Sequence, residues 1–355
     1  MPASLLSHSE SATAEAYLRQ LPKVELHVHL EGSIPSPTLL ALARKHGVRL
    51  PATDEAALAQ WLRFRDFPHF AEVYRTISRC IQTPEDLEQL TYEFLQGQAR
   101  QRIVHTEFTF TAWSHWRNWD IPYAEQFAAL RQARERAERD FGVTSLVIVD
   151  IPRQVAPVAE AVAMTEAVVE SRADGLAALG LGGYEVGFPA SLFRPAFEVA
   201  RQVGLPCILH AGETEGPGSI WEALEHGPSL RIGHGVRCLE DAGLVEHLRR
   251  YQVPLEVCPT SNACLKVVPS LAAHPLPELL RQGLYVTLNS DDPALFGTTL
   301  TEEYLLAHRV LGLSVAELRQ LNFNALEASL LPVTAKQQIR AQWQAAEAMA
   351  EAPQG

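Results

Sequence analysis

The chain is short of what several protein classes require. Its five cysteines, Cys80, Cys207, Cys238, Cys258 and Cys264, are scattered over 355 residues. An odd, dispersed set builds no disulfide framework and suits a reducing compartment. No Cys-x-x-Cys pair occurs, which argues against a structural zinc ribbon. Basic charge is scarce too: 30 Lys and Arg stand against 42 Asp and Glu, a formal net charge of −12. Nucleic-acid binders carry a basic face, so that class is set aside. No apolar run approaches the roughly 20 residues of a membrane span. Met1–Gln20 is polar and alanine-rich, without the basic start and apolar core of a signal peptide. The expectation is a cytoplasmic protein that engages neither membrane nor nucleic acid. Also missing are a repeat of solenoid period and the Gly-x-Gly-x-x-Gly fingerprint of a doubly wound open sheet.

What is present points to a packed globule, with 47% hydrophobic and 20% charged residues. Eight short apolar or β-branched segments bounded by turn residues read as buried strands. They are Lys23–Leu30, Ile103–Phe110, Thr144–Ile151, Ala177–Gly182, Pro206–His210, Leu230–His234, Pro254–Cys258 and Leu284–Asn289. Helical patterns lie between most of them, as at Pro157–Arg172, Leu192–Val203 and Leu239–Arg250. Such alternation predicts a parallel sheet with crossover helices. Eight strands fit an α/β fold of the closed (β/α)₈ TIM-barrel type, one domain over residues 1–355. Between Glu31 and Arg102 only helical stretches occur, at Pro37–Lys45, Asp54–Arg63, Phe70–Ile81 and Pro84–Gln101. A connection of that length reads as an inserted helical cap, about 31–102. A cap there would exclude water from the barrel mouth.

A barrel concentrates chemistry at the C-terminal ends of its strands. On a strand, residues i and i+2 share a face, so His27 and His29 point together into the barrel with Glu25 deeper. Two converging imidazoles fit a hydrogen-bonded pair or a metal-binding pair. An apolar strand ends at His210 and turns at Gly212 to present Glu213. Glycines flank His234 at another strand end, and Asp291-Asp292 follow the last strand. Singly, each has a structural explanation: a strand-end Asp caps a helix, and a lone His is often a satisfied core residue. Together they have the composition of a catalytic metal site, imidazoles plus a carboxylate with room for water. That mix suits Zn²⁺, with iron, cobalt and manganese as alternatives.

At these residues the chain resembles the adenosine deaminase family of metal-dependent amidohydrolases. The motifs are Val24-Glu-Leu-His-Val-His-Leu-Glu-Gly-Ser33, His210-Ala-Gly-Glu213, Ile232-Gly-His-Gly235, Cys258-Pro-Thr-Ser-Asn262 and Leu288-Asn-Ser-Asp-Asp-Pro293. The resemblance implies one zinc ion per subunit, held by His27, His29, His210 and Asp291. It implies that His234 orients the attacking water and takes its proton. Glu213 would donate to purine N1, Asp292 would bond the base near N7, and the Gly183 backbone would donate to N3. Many binuclear amidohydrolases use a carboxylated lysine on a middle strand. No lysine lies between Lys45 and Lys266, so a mononuclear site is expected. The cytidine-deaminase type needs Pro-Cys-x-x-Cys, and Pro206-Cys-Ile-Leu209 lacks the second cysteine. His105-Thr-Glu107 mimics its first half; these two residues either line the pocket or serve the structure.

Two positions depart from adenosine-specific members. Those carry Asp where this chain has Glu31, beside the ribose, and Gly-Asp-Glu where it has Gly183-Tyr-Glu185. The stretch 181–189, with the runs at 214–217 and 291–297, is more similar to members acting on 6-aminodeoxyfutalosine or adenine. The former is an adenine nucleoside with a carboxyphenyl ketone on its sugar, used in menaquinone biosynthesis. Trp113, Trp116 and Trp119 are candidates to stack on that ring, and Arg117 or Arg153 to pair its carboxylate. The implied activity is hydrolytic deamination of a 6-aminopurine nucleoside, adenosine or 6-aminodeoxyfutalosine, to the 6-oxopurine and ammonia. Adenine is the third substrate candidate. The partner expected is this small molecule, and the oligomeric state is left open. A purine-binding barrel without catalysis is the rival from another class. It would be expected to lack part of the set Glu213, His234 and Asp292, which this chain has entire.

Overall fold

Each of the eight apolar segments forms a strand in a computed structural model, which describes the backbone of residues 8–351 and the side chains of residues 12–345. Met1–Ser7, part of the N-terminal stretch read above, lie outside the described residues. The strands are β1 (Lys23–His29), β2 (Ile103–Phe110), β3 (Thr144–Pro152), β4 (Leu176–Gly182), β5 (Cys207–Ala211), β6 (Ser229–His234), β7 (Leu255–Val257) and β8 (Val286–Leu288). Each pairs in parallel with the next, in the order β1 to β8. Backbone bonds just beyond β8 join it to β1: His29 N–H donates to Asp291 O at 2.8 Å, and Asp291 N–H to His27 O at 3.1 Å. Below them, Asn289 Oδ1 accepts from the N–H groups of Leu26 and His27 at 3.0 and 3.2 Å. A side chain thus replaces part of the ladder at the seam. The result is a (β/α)₈ TIM barrel.

Apolar side chains fill the layer between strands and helices, among them Val28, Phe108, Val147, Leu179 and Leu209. Inside the barrel a small apolar cluster of Ile148, Ala178 and Ile208 lies alongside buried charged residues. Arg231 is fully buried on β6. Its Nη2 lies 2.7 Å from Glu107 Oε2 on β2, its Nε 2.5 Å from Glu256 Oε1 on β7, and its Nη1 donates to Ala328 O at 2.9 Å. A buried guanidinium survives because two carboxylates and a carbonyl occupy its fork. The Leu330 N–H donates to the other Glu107 oxygen, tying this floor to the chain after the helix Val315–Ala328.

Four helices connect β1 to β2. The helix Pro84–Arg100 begins with a Thr83/Asp86 capping box and runs beside Tyr123–Phe141 in the outer ring. Asp86 also binds Lys45 Nζ at 2.5 Å and His46 Nε2 at 2.6 Å, which fastens the end of the helix Ser36–His46. The short helix Glu55–Trp61 follows. The helix Phe67–Ser78 starts at the cap Asp66 and places Phe67, Phe70, Ala71, Tyr74 and Arg75 along the cavity at the barrel mouth.

Candidate active site

The cavity sits over the C-terminal ends of the strands, where the sequence placed its candidates. His29, Gly183, His210, Glu213, His234, Asp291 and Asp292 all line it. His27, His210, His234 and Asp291 offer ligand atoms that lie within 4.8 Å of one another, and His29 joins Asp291 and Asp292 in a second, overlapping group. The Nε2 atoms of His29 and His210 are 3.1 Å apart. Asp291 Oδ1 lies 3.5 Å from His27 Nε2 and 3.4 Å from His29 Nε2. His234 stands slightly outside, its Nε2 3.9 Å from Asp291 Oδ2 and 3.8 Å from Glu213 Oε1.

These spacings fit a divalent cation. Zinc bonds to nitrogen or oxygen are about 2.0–2.1 Å, so the edges of a zinc tetrahedron are roughly 3.3 Å. The pairs among His27, His29, His210 and Asp291 given above fall at 3.1–3.5 Å. His27 Nε2 is buried without a hydrogen-bond partner, as a ligand atom facing a metal would be. The outer nitrogens agree. His27 Nδ1 lies 2.8 Å from Glu256 Oε2, and His210 Nδ1 3.1 Å from Leu181 O. Each acceptor claims a proton at Nδ1 and leaves the Nε2 lone pair aimed inward. Burial opposes a charged His27, but Asp291 and Glu256 outweigh it and raise its pKa to about 10. Carboxylates that favour a proton on His27 also favour a metal cation beside it.

His234 has the opposite tautomer. Leu276 N–H donates to His274 Nδ1 at 3.1 Å, so neutral His274 carries its proton on Nε2. That proton points to Asn262 Oδ1 at 3.1 Å, which turns the Asn262 amide N–H toward His234 Nδ1 at 3.3 Å. Burial keeps both rings uncharged, with His274 brought down to about 3 and His234 to about 4. Neutral His234 therefore presents an N–H at Nε2. Its backbone, like that of Asp291, is left-handed, with φ of 62° and 65°. Non-glycine residues hold that conformation at a cost, and such positions gather at functional sites.

Glu185 holds the turn that presents Glu213. Its carboxylate accepts from the N–H groups of Gly212, Glu213 and Thr214 at 2.8, 2.9 and 2.7 Å, and from the Ser219 hydroxyl. Glu213 itself is 4% exposed. Burial, followed by the charges of Asp291 and Glu185, raises its pKa well above the ordinary carboxyl value. Asp292 is raised in the same way by burial and Asp291. It packs on Gly32, where any Cβ would collide with its carboxylate. Oxygens of both groups are buried without partners.

Not every expected residue reaches this cavity. Glu31 is fully buried and does not line it. Its oxygens accept from Thr111 N–H at 3.1 Å, His115 Nε2 at 3.2 Å and Tyr74 O–H at 3.2 Å. Protein donors thus hold the carboxylate that the sequence put beside the ribose. The three tryptophans also stay outside: Trp113 is a core residue bonded to Glu160, Trp116 packs on Tyr123, and Trp119 is exposed. Arg117 is exposed and off the cavity, and Arg153 is also absent from its lining, its Nη2 donating to the carbonyls of His210 and Leu181. His105 and Glu107 belong to the barrel interior, not the cavity lining. Sequence reasoning missed Glu256, His274, Asp150 and Arg75. Glu256 was open to detection, since a carboxylate inside an apolar strand segment needs an internal partner.

Comparison with known proteins identifies the family and its fold. The adenosine deaminase family model matches residues 22–346. An aminodeoxyfutalosine deaminase from Streptomyces avermitilis is 40% identical over 328 residues, covering 92% of this chain and 91% of that protein. The crystal structure of an adenine deaminase from Arthrobacter aurescens superposes with a TM-score of 0.87 at 33% identity, over 91% of this chain and 98% of that one. An amidohydrolase from Burkholderia ambifaria, solved with bound Zn, gives a TM-score of 0.87 at 28% identity over 98% and 95% of the two chains. This chain belongs to the adenosine deaminase family and is a deaminase of the metal-dependent amidohydrolase type.

Proposed function

We propose that the protein deaminates a 6-aminopurine nucleoside hydrolytically, using one zinc ion held by His27, His29, His210 and Asp291. The observation that carries this reading is the imidazole and carboxylate cluster, with metal-ligand spacing, sharing one cavity with Glu213, whose carboxyl burial raises well above its ordinary range. A zinc ion there supplies Lewis acidity that brings the pKa of water to about 7. Attack at purine C6 drives charge onto N1. Glu213, kept protonated by burial, donates to that nitrogen. Asp292, its carboxyl raised by burial and by Asp291, hydrogen-bonds the base near N7, and the Gly183 backbone N–H donates to N3. Neutral His234 donates from Nε2 and orients the attacking water. Taking a proton at that nitrogen would need the other tautomer, which Asn262 disfavours; the water would instead lose its first proton to solvent, and Glu213, ionised once it has protonated N1, would take the second from the C6 hydroxyl and pass it to the departing ammonia. We also read the helices over the mouth, Phe67–Ser78 above all, as a cap that excludes water. A reducing, cytoplasmic setting suits five cysteines that are all free.

Among nucleosides, 6-aminodeoxyfutalosine suits the cavity better than adenosine. Phe67, Phe70, Tyr74 and Val155 give it apolar lining, and Arg75 lines it too. Among the described residues Arg75 has no ion-pair partner, so it is available to a substrate carboxylate. The Streptomyces relative acts in the same direction. Adenine is the second reading, favoured because Glu31 offers no acceptor to a sugar. Steady-state ammonia release from 6-aminodeoxyfutalosine, adenosine and adenine tests the choice. The proposal expects the first to have the highest kcat/KM, and a preference for adenine would replace it with the second reading.

A further inference from the structure

Two polar side chains at the end of β3 have no place in the mechanism above. Asp150 and Gln154 both line the cavity. Asp150 is 4% exposed. Its one side-chain hydrogen-bond partner among the described residues is the Thr111 hydroxyl, 2.7 Å from Oδ1. Gln154 Oε1 is buried with no hydrogen-bond partner among the described residues. A buried carboxylate served by one hydroxyl and a buried orphan amide oxygen are both costly unless a ligand completes them. Burial pushes the Asp150 carboxyl up to about 7 despite the Thr111 bond.

The facing strand is cut away to hold these groups. A Cβ on Gly180 would lie 2.9 Å from Asp150 Cβ. A Cβ on Gly182 would collide with Asp150 Oδ2, and one on Gly183 with Gln154 Oε1. Gly180 and Gly182 thus clear room for Asp150 on the neighbouring strand, and Gly183, whose φ of 92° also favours glycine, clears room for Gln154 just past that strand's end. Glycine weakens a strand, so the clearance has a stability cost that packing alone does not explain. The strip also borders the metal cluster, since the same Gly182 Cβ would sit 3.8 Å from His210 Cε1.

We infer that Asp150 and Gln154, with Thr111 behind them, form the subsite for the hydroxyl groups of a pentose attached to the purine. The inference rests on the purine orientation proposed above, in which Gly183 faces N3. N3 neighbours N9, where a sugar is attached, so groups packed on Gly183 meet that sugar. A carboxyl and an amide oxygen are acceptors for hydroxyl donors. They supply what Glu31, held by Tyr74, Thr111 and His115, does not. The substrate class is therefore a nucleoside and not a free base.

The test compares the products inosine and hypoxanthine, which differ only in the sugar, by calorimetric titration of zinc-loaded wild-type, Asp150→Asn and Gln154→Ala proteins. Wild type binds inosine more tightly. Asp150→Asn weakens inosine by about 10- to 100-fold, and at least tenfold more than it weakens hypoxanthine. Gln154→Ala shows the same selectivity to a smaller degree and serves alone if Asp150→Asn does not fold. Equal losses for both ligands, or tighter hypoxanthine binding by wild type, overturn the subsite. Failure of the broader reading looks different: wild-type protein then releases no ammonia from any 6-aminopurine, before any variant is made.

Discussion

His27 Nδ1 lies 2.8 Å from Glu256 Oε2, and the other oxygen of that carboxylate holds Arg231. The pair connects the mouth of the barrel to its charged interior. Glu256 fixes the ring tautomer and makes Nε2 a stronger ligand. Glu256→Gln is expected to lower zinc affinity about 10- to 100-fold, measured by competition with a chelator. Unaltered affinity would reduce Glu256 to a partner of Arg231.

Glu213→Gln separates binding from proton transfer. The amide is nearly the shape of the carboxylic acid but donates no acidic proton. Zinc content is expected to stay at one per chain while kcat falls on the order of 10²–10⁴-fold. Near-normal turnover would remove Glu213 as the acid.

Asn262→Asp reverses the hydrogen bond to His234, because a carboxylate accepts where the amide donated. His234 is then expected to carry its proton on Nδ1, visible in ¹⁵N shifts of labelled histidine. If His234 works as a donor at Nε2, kcat falls on the order of 10²-fold, the kind of loss a wrong tautomer causes. An unchanged or higher kcat would make Nε2 a base instead.

Arg231→Ala leaves Glu107 and Glu256 buried beside each other without a cation. Removing one partner of a buried ion pair typically costs about 3–5 kcal/mol. Denaturant unfolding is expected to show a loss of that order, and a loss under about 1 kcal/mol would mean that water or a proton replaces the guanidinium.

The same cluster gives a pH dependence. Burial disfavours a charged Glu107, but Arg231 outweighs it and brings the carboxyl to about 2, below its ordinary 4.5. A carboxyl with a depressed pKa in the fold contributes stability above its unfolded pKa and loses it as pH falls toward the folded one. The stability gap between wild type and Glu107→Gln is expected to be widest near neutral pH and to close between about pH 4.5 and 2. A gap constant over that range would contradict the ionic role of Glu107.

The chemistry at the strand ends was legible because it is local. His27 and His29 share a face by the two-residue period of a strand, and Glu213 and Asp292 lie in the turns just past the ends of β5 and β8. Strand positions agree within about two residues for the same reason, that alternation and bounding turns are local signals. What escaped depends on pairs far apart in sequence. Glu256 matters because β7 brings it under His27, 229 positions away. Asp150 matters because glycines on another strand open a space for it. Glu31 looked available from its motif, yet its partners Tyr74, Thr111 and His115 come from two other segments. The tryptophans misled because aromatic residues near a mouth also serve the helix layer.

The central claim is tested most directly by measuring zinc content and ammonia release on the same preparation, with 6-aminodeoxyfutalosine, adenosine and adenine each supplied. The account predicts one zinc per chain, ammonia and a 6-oxopurine in equal amounts, and loss of both metal and turnover on chelation, with turnover restored by zinc. Stoichiometric metal with no ammonia from any of the three would contradict it.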